Sequence, residues 1–387
     1  MIPSTEFAGQ HRASVSSPTD LKHASILPYL LAGFCLVPLA CDWTAEPPRP
    51  PECADAWRSE AARALVDQLA RATAADRAVW LDFDVGDASY VLNAGPSDSG
   101  GVCLGLWGDG RAISYARTDE EPTLLTPLYG YWFRSDWYGR PDAAMLERAA
   151  QPPSVRTWLE STGVRSAVIL PVTVPDFPME LPALVKVQLG MHEAFHVDVQ
   201  APRWYASTGN WPAWDRQPDR PGLQVCYTAS PDVEAALEAE REFLVAAVES
   251  LMDGDTALAC EAGRAFLARR NDRYRMLADV QVARHDGTPG TCGEAESIME
   301  LEEGTADWAS WTVLYDIGEA SRESVVRRYR ARQDEVFYLT GAMQLHAVQL
   351  MQPDSMLAIA RRIAESDGPD DGALTNVLAR ALATFCR

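Results

Sequence analysis

Met191-His192-Glu193-Ala194-Phe195-His196 reads H-E-x-x-H, and the reading of the whole chain turns on it. On a helix, residues i and i+4 lie one above the other, so His192 and His196 present two imidazoles to one point. That spacing suits two ligands of a single tetrahedral zinc ion, with Glu193 beside the metal-bound water as general base. Local signals support the helix. Pro182 can occupy its first position, where a missing N–H is harmless. Leu184, Gln188, Met191, Phe195 and Val199 then recur at steps of three or four, and Pro202 ends the pattern. The plainer alternative is a buried helix with two hydrogen-bonded histidines, but packing gives no reason for a glutamate between them.

A catalytic zinc needs three protein ligands and a water. His285 and His346, the other histidines downstream, stand at no zinc spacing. A third histidine in an extended motif is excluded, because Val199 and Pro202 occupy the positions where glycine and histidine are required. A carboxylate is the next candidate. Residues 296–311 read as a helix, with Ile298, Leu301, Thr305 and Trp308 at helical steps. Glu300, Glu303 and Asp307 then share another face, where they repel one another unless a cation offsets them. Glu303 as third ligand, with Asp307 accepting the other N–H of a ligand histidine, gives that face a purpose. Glu300 and Glu302 stay open as alternatives, as does a solvated acidic surface.

The pairing of H-E-x-x-H with a glutamate and an aspartate four residues later resembles the gluzincin metallopeptidases. The resemblance spans about residues 180–345 and rests on short motifs. It implies zinc held by His192, His196 and Glu303, Glu193 as catalytic base, and Asp307 as an outer-shell carboxylate. The His196-to-Glu303 gap of 107 residues (303 − 196) is longer than in thermolysin-like members. The resemblance also implies an electrophilic donor on the helix after the ligand helix, where Tyr338 stands shortly before Gly341. His346 is a weaker candidate, and aromatic residues at this spacing commonly belong to a core. Arg264, Arg269, Arg270, Arg273 and Arg275 read most simply as a charged helix surface. Neutralising the carboxylates, or binding a substrate C-terminus, is the alternative.

Composition bounds the rest. The chain has 387 residues, 47% hydrophobic, enough for a sizeable core, and a net charge of −21. A distributed negative charge argues against nucleic-acid binding, which needs a basic footprint. Residues 1–41 read as a secretory signal whose end, Val37-Pro38-Leu39-Ala40-Cys41, resembles a bacterial lipoprotein box. A lipid on Cys41 would anchor an exported chain at the cell envelope, and residues 42–53 follow as a proline-rich tether. Cys53, Cys103, Cys226, Cys260, Cys292 and Cys386 then make three disulfides possible, in fifteen pairings that sequence does not separate.

The expected fold class is α+β and, by the resemblance, zincin-like. A β-containing half (54–200) ends in the H-E-x-x-H helix, a helical half (201–387) supplies the third ligand, and a cleft lies between. Strands are expected at Ala78–Phe83, Ser89–Leu92, Val102–Trp107, Arg111–Tyr115 and Ser166–Leu170, with a hairpin turn at Gly108-Asp109-Gly110. The expected function is zinc-dependent hydrolysis of a peptide or protein substrate. The alternative is a catalytically inactive surface lipoprotein of the same fold acting as a binding module.

Overall fold

The computed structural model describes residues 46–74, 78–80, 83–119, 130–133, 152–172, 182–200, 218, 220–284, 286–331, 336–365 and 373–387. The chain divides into Met1–Ala45 and Glu46–Arg387. The expected signal segment, Cys41 and the first residues of the tether lie outside the described residues, as does His285. The fold of the larger unit is mixed α+β and largely helical.

Residues 46–53 do not hang free. Tyr115 donates its hydroxyl to Glu46 at 2.8 Å, Arg49 lies over the Tyr115 ring, and Cys53 is joined to Cys103. The first long helix, α1 (Glu60–Thr73), starts at Ser59, whose side chain accepts from the Ala62 N–H. Its Leu65, Leu69 and Ala72 recur at helical spacing and are buried.

Seven strands follow: β1 (Ala78–Trp80), β2 (Phe83–Asp84), β3 (Tyr90–Pro96), β4 (Val102–Gly108), β5 (Arg111–Thr118), β6 (Gly130–Phe133) and, after helix α2 (Pro153–Thr162), β7 (Ser166–Pro171). The last five form one sheet in the order β5-β4-β3-β7-β6, in which only β3 and β7 are parallel. Asp109 and Gly110 make the two-residue β4–β5 hairpin with φ of 51° and 69°, the mirror-image turn that matches strand twist. The single strand expected over Ala78–Phe83 is instead the antiparallel pair β1–β2, with Trp80 opposite Phe83. Doubling back lets both rings meet Phe195 edge-on, at 5.5 and 5.3 Å.

Strand alternation puts Val91, Leu104, Leu106 and Ile169 on one face, packed with Val155 and Leu159 of α2. Tyr90, Leu92, Val168 and Leu170 point the other way, into the core that contains Met191 and Phe195. Those two residues belong to α3 (Ala183–Phe195), the predicted H-E-x-x-H helix. A side chain on Gly190 would come within 2.8 Å of Leu170, so glycine sets how closely α3 lies on β7.

Among the described residues the remainder is almost wholly helical, as expected. Helices α4 (Pro231–Asp253) and α5 (Thr256–Met276) form a hairpin closed by a left-handed Gly254 and an Asp255 N-cap. After the ribbon of β8 (Gln281–Ala283) and β9 (Pro289–Thr291) come α6 (Cys292–Met299), α7 (Thr305–Asp316), α8 (Arg322–Ala331), α9 (Val336–Met351), α10 (Met356–Ala364) and α11 (Leu374–Phe385). Disulfides join Cys226 to Cys292 and Cys260 to Cys386.

The arginine run of α5 is not merely a charged surface. Arg270 and Arg273 are fully buried and bind Glu240, Glu296 and Glu300 at 2.5 to 2.8 Å. Two guanidinium groups facing three carboxylates leave each buried charge opposed, the condition under which ionised groups are tolerated in an interior.

Candidate metal centre

Three donor atoms converge where α3 meets the segment leading into α7. His192 Nε2 and His196 Nε2 are 3.0 Å apart, and Glu303 Oε2 lies 3.1 Å from each. Among the described residues these are the cluster of His, Cys, Asp and Glu able to hold a metal ion. Ligand atoms about 2.0–2.1 Å from a tetrahedral ion stand about 3.3 Å apart, so the triangle fits one small cation.

The charge states fit as well. Burial, reinforced by nearby His196, lowers the His192 pKa to about 4, so its imidazole is neutral at neutral pH. The contact of His192 with Glu303 is therefore not an ion pair. With each ring proton on Nδ1, the two Nε2 atoms and Glu303 Oε2 would all be acceptors, an arrangement that a cation in their midst stabilises.

The sequence predicts two continuous α-helices here, and both widen into a π-helical turn at the candidate ligands. Helix α3 runs into π-helical His196–Gln200, and α6 reaches α7 through π-helical Glu300–Gly304. Such turns insert a residue into the ladder and recur at functional sites. The second one undoes the shared face expected for Glu300, Glu303 and Asp307. Glu303 meets the histidines, whereas Glu300 takes two bonds from Arg270 and others from Thr340 and Gln344. Glu302 offers its backbone carbonyl to Gln200 at 2.7 Å. Of the three candidate glutamates, only Glu303 joins the cluster.

Asp307 lies close enough to act electrostatically on His192 but does not hydrogen-bond to it. It accepts from Gln188 Nε2 at 3.1 Å and from Arg328 at 3.3 Å. Its other oxygen and His192 Nδ1 are both buried and unpartnered. The residue that does orient a candidate ligand histidine is Gln200. Its Oε1 lies 2.5 Å from His196 Nδ1, and its amide donates to the Glu302 carbonyl and to Thr305 Oγ1 at 2.8 Å. A donor on Nδ1 leaves Nε2 bare and aimed at the cluster. Gln200 stands four residues after His196, a spacing that could have signalled the role. Arg328 comes from another helix and carries no such signal.

Glu193 is half-buried. Tyr338, also half-buried, stacks on the His192 ring at 5.6 Å with planes 29° apart. Its helix is held there by two glycines. A side-chain carbon on Gly304 would lie 2.5 Å from Gly341 Cα, so α9 packs backbone to backbone on the π-turn. Gly304 therefore serves the close approach of α9. His346 lines a separate cavity among Trp308, Trp311 and Tyr329.

No protein-family model, curated protein or solved structure matches this chain.

Proposed function

We propose that this chain is a zinc-dependent hydrolase of the gluzincin kind, a metallopeptidase, in a zincin-like arrangement with the substrate cleft between the two halves. The carrying observation is the convergence of His192 Nε2, His196 Nε2 and Glu303 Oε2 within 3.1 Å of one another, with Glu193 next to the first ligand. Two imidazoles and a carboxylate are a donor set suited to catalytic zinc. No fourth His, Cys, Asp or Glu joins the cluster among the described residues, which favours a catalytic over a structural site. Zinc bound there supplies a Lewis acid that polarises a carbonyl and lowers the pKa of water.

The chain's own residues do the rest. Glu193 takes a proton from the attacking water and hands it to the leaving amine. Tyr338, held flat against His192, directs its hydroxyl at the oxyanion that develops on the carbonyl. Among the described residues strand β6 is an edge of the sheet whose neighbour β7 packs on α3, so an extended peptide can add alongside it. Export and anchoring through Cys41 belong to the same proposal, and the three disulfides suit an oxidising compartment.

The test is elemental analysis of the purified chain and its variants, with a peptide-library turnover assay. Wild type should carry one zinc per chain, His196→Ala and Glu303→Ala should lose it, and Glu193→Gln should keep it while losing turnover. Iron in place of zinc, or turnover retained in Glu193→Gln, overturns the reading. Bound zinc without turnover on any peptide would favour the binding module.

A further inference from the structure

Leu184, Met191 and Phe195 of α3 pack into the core, and Gln188 stands in the same stripe as its polar exception. Its side chain is fully buried. The amide nitrogen donates to Ser310 Oγ at 2.8 Å and to Asp307 Oδ1 at 3.1 Å, so both of its N–H groups go to α7. The amide oxygen has no hydrogen-bond partner among the described residues. Turning the amide over would set that oxygen against the Asp307 carboxylate, so the partners themselves fix which end is nitrogen. A buried amide with an unsatisfied oxygen is destabilising, and an apolar residue would fill the position at least as well. Packing therefore gives no reason for a glutamine here.

Its neighbours give one. Gln188 stands four residues before His192, and Gln200 stands four residues after His196, so two glutamines bracket the candidate ligands. Both reach across to the stretch that carries Glu303. Gln200 binds the Glu302 carbonyl and Thr305, and Gln188 binds Asp307 and Ser310. Ser310 in turn donates to the Asp307 carbonyl at 2.9 Å, and Arg328 gives Asp307 Oδ1 its second hydrogen bond. The Asp307 carboxylate is buried and acts electrostatically on His192.

We infer that Gln188 is a positioning residue for the metal, which holds Asp307 against α3 so that its negative charge supports a cation bound at His192. The inference rests on the metal reading proposed above. A buried carboxylate near a ligand histidine strengthens that ligand, and it does so only while it is kept in place. Gln188 acts through Asp307 and does not touch the cation.

The test is zinc affinity of the purified chain by competition with a chromophoric chelator, set beside the melting temperature of the metal-free protein. Gln188→Met replaces the amide with an apolar side chain of similar length. Zinc should bind about 10-fold or more weakly. The metal-free melting temperature should stay within about 2 °C of wild type. Asp307 keeps its bond from Arg328, and Ser310 keeps the Asp307 carbonyl. Asp307→Ala should weaken zinc by a similar or larger factor, and adding Gln188→Met to it should weaken zinc no further. A role in packing alone would not produce that pattern. Gln188→Leu repeats the comparison if the methionine variant does not fold. Unchanged affinity in a folded Gln188 variant, or losses that multiply in the double variant, overturns the inference and leaves the metal reading standing. Wild type that binds no zinc overturns both.

Discussion

His196 Nδ1 lies 2.5 Å from the Gln200 side-chain oxygen, one turn further along the same chain, and the Gln200 amide ties that turn to the Glu302 carbonyl. One side chain thereby sets the tautomer of His196 and joins the two segments that carry the candidate donor set. Gln200→Leu is expected to weaken zinc binding by about 10- to 100-fold, and Gln200→Glu, which keeps the acceptor, by less. Competition with a chromophoric chelator measures both, and equal affinity in Gln200→Leu and wild type would remove Gln200 from the site.

Tyr338 is expected to separate binding from turnover. Tyr338→Phe keeps the ring stacked on His192 and removes only the hydroxyl. Metal affinity should hold while kcat falls by about 10²-fold, the loss typical of one oxyanion donor. A steady-state comparison with unchanged kcat would return Tyr338 to a packing role.

Glu300 and Glu303 should fail in opposite ways. Glu300 is buried against Arg270, so Glu300→Ala strands a buried guanidinium and should cost about 3–5 kcal/mol of stability. Glu303→Ala should chiefly abolish metal binding. Chemical denaturation of both apo proteins, set beside their zinc content, distinguishes the framework carboxylate from the ligand.

His346 gives the fold an acid-sensitive group away from the metal. Its folded pKa is lowered to about 4 by burial and Arg322, below the ordinary histidine value of about 6.5. Between those values the unfolded chain binds the proton and the folded chain does not, so this contribution to stability falls as pH drops from about 6.5 toward 4. His346→Gln should flatten that limb of the melting-temperature profile. An unchanged profile would show that other groups set it.

Much of the site was legible because it is local. The i, i+4 rule places His192 over His196 whatever surrounds the helix, and the β4–β5 hairpin follows from Asp109-Gly110. The place of Tyr338 beside His192 was suggested only by a family likeness, since a tyrosine on an apolar helix ordinarily signals a core. The π-turns were not legible, because apolar spacing does not distinguish a π-turn from the helix around it. Nor was the burial of Arg270 and Arg273, whose carboxylate partners are brought to α5 by other helices.

By itself the sequence determined the α+β order, the helix bearing His192, Glu193 and His196, and a short stretch holding every serious candidate for third ligand. Each rests on interactions among residues within a few turns of one another. Only the tertiary structure decided that Glu303 meets the histidines, that Glu300 is held by Arg270, that Asp307 pairs with Gln188 and Arg328, and which cysteines join. Those choices depend on where distant helices settle, and packing such as the contact of Gly304 with Gly341 settles them.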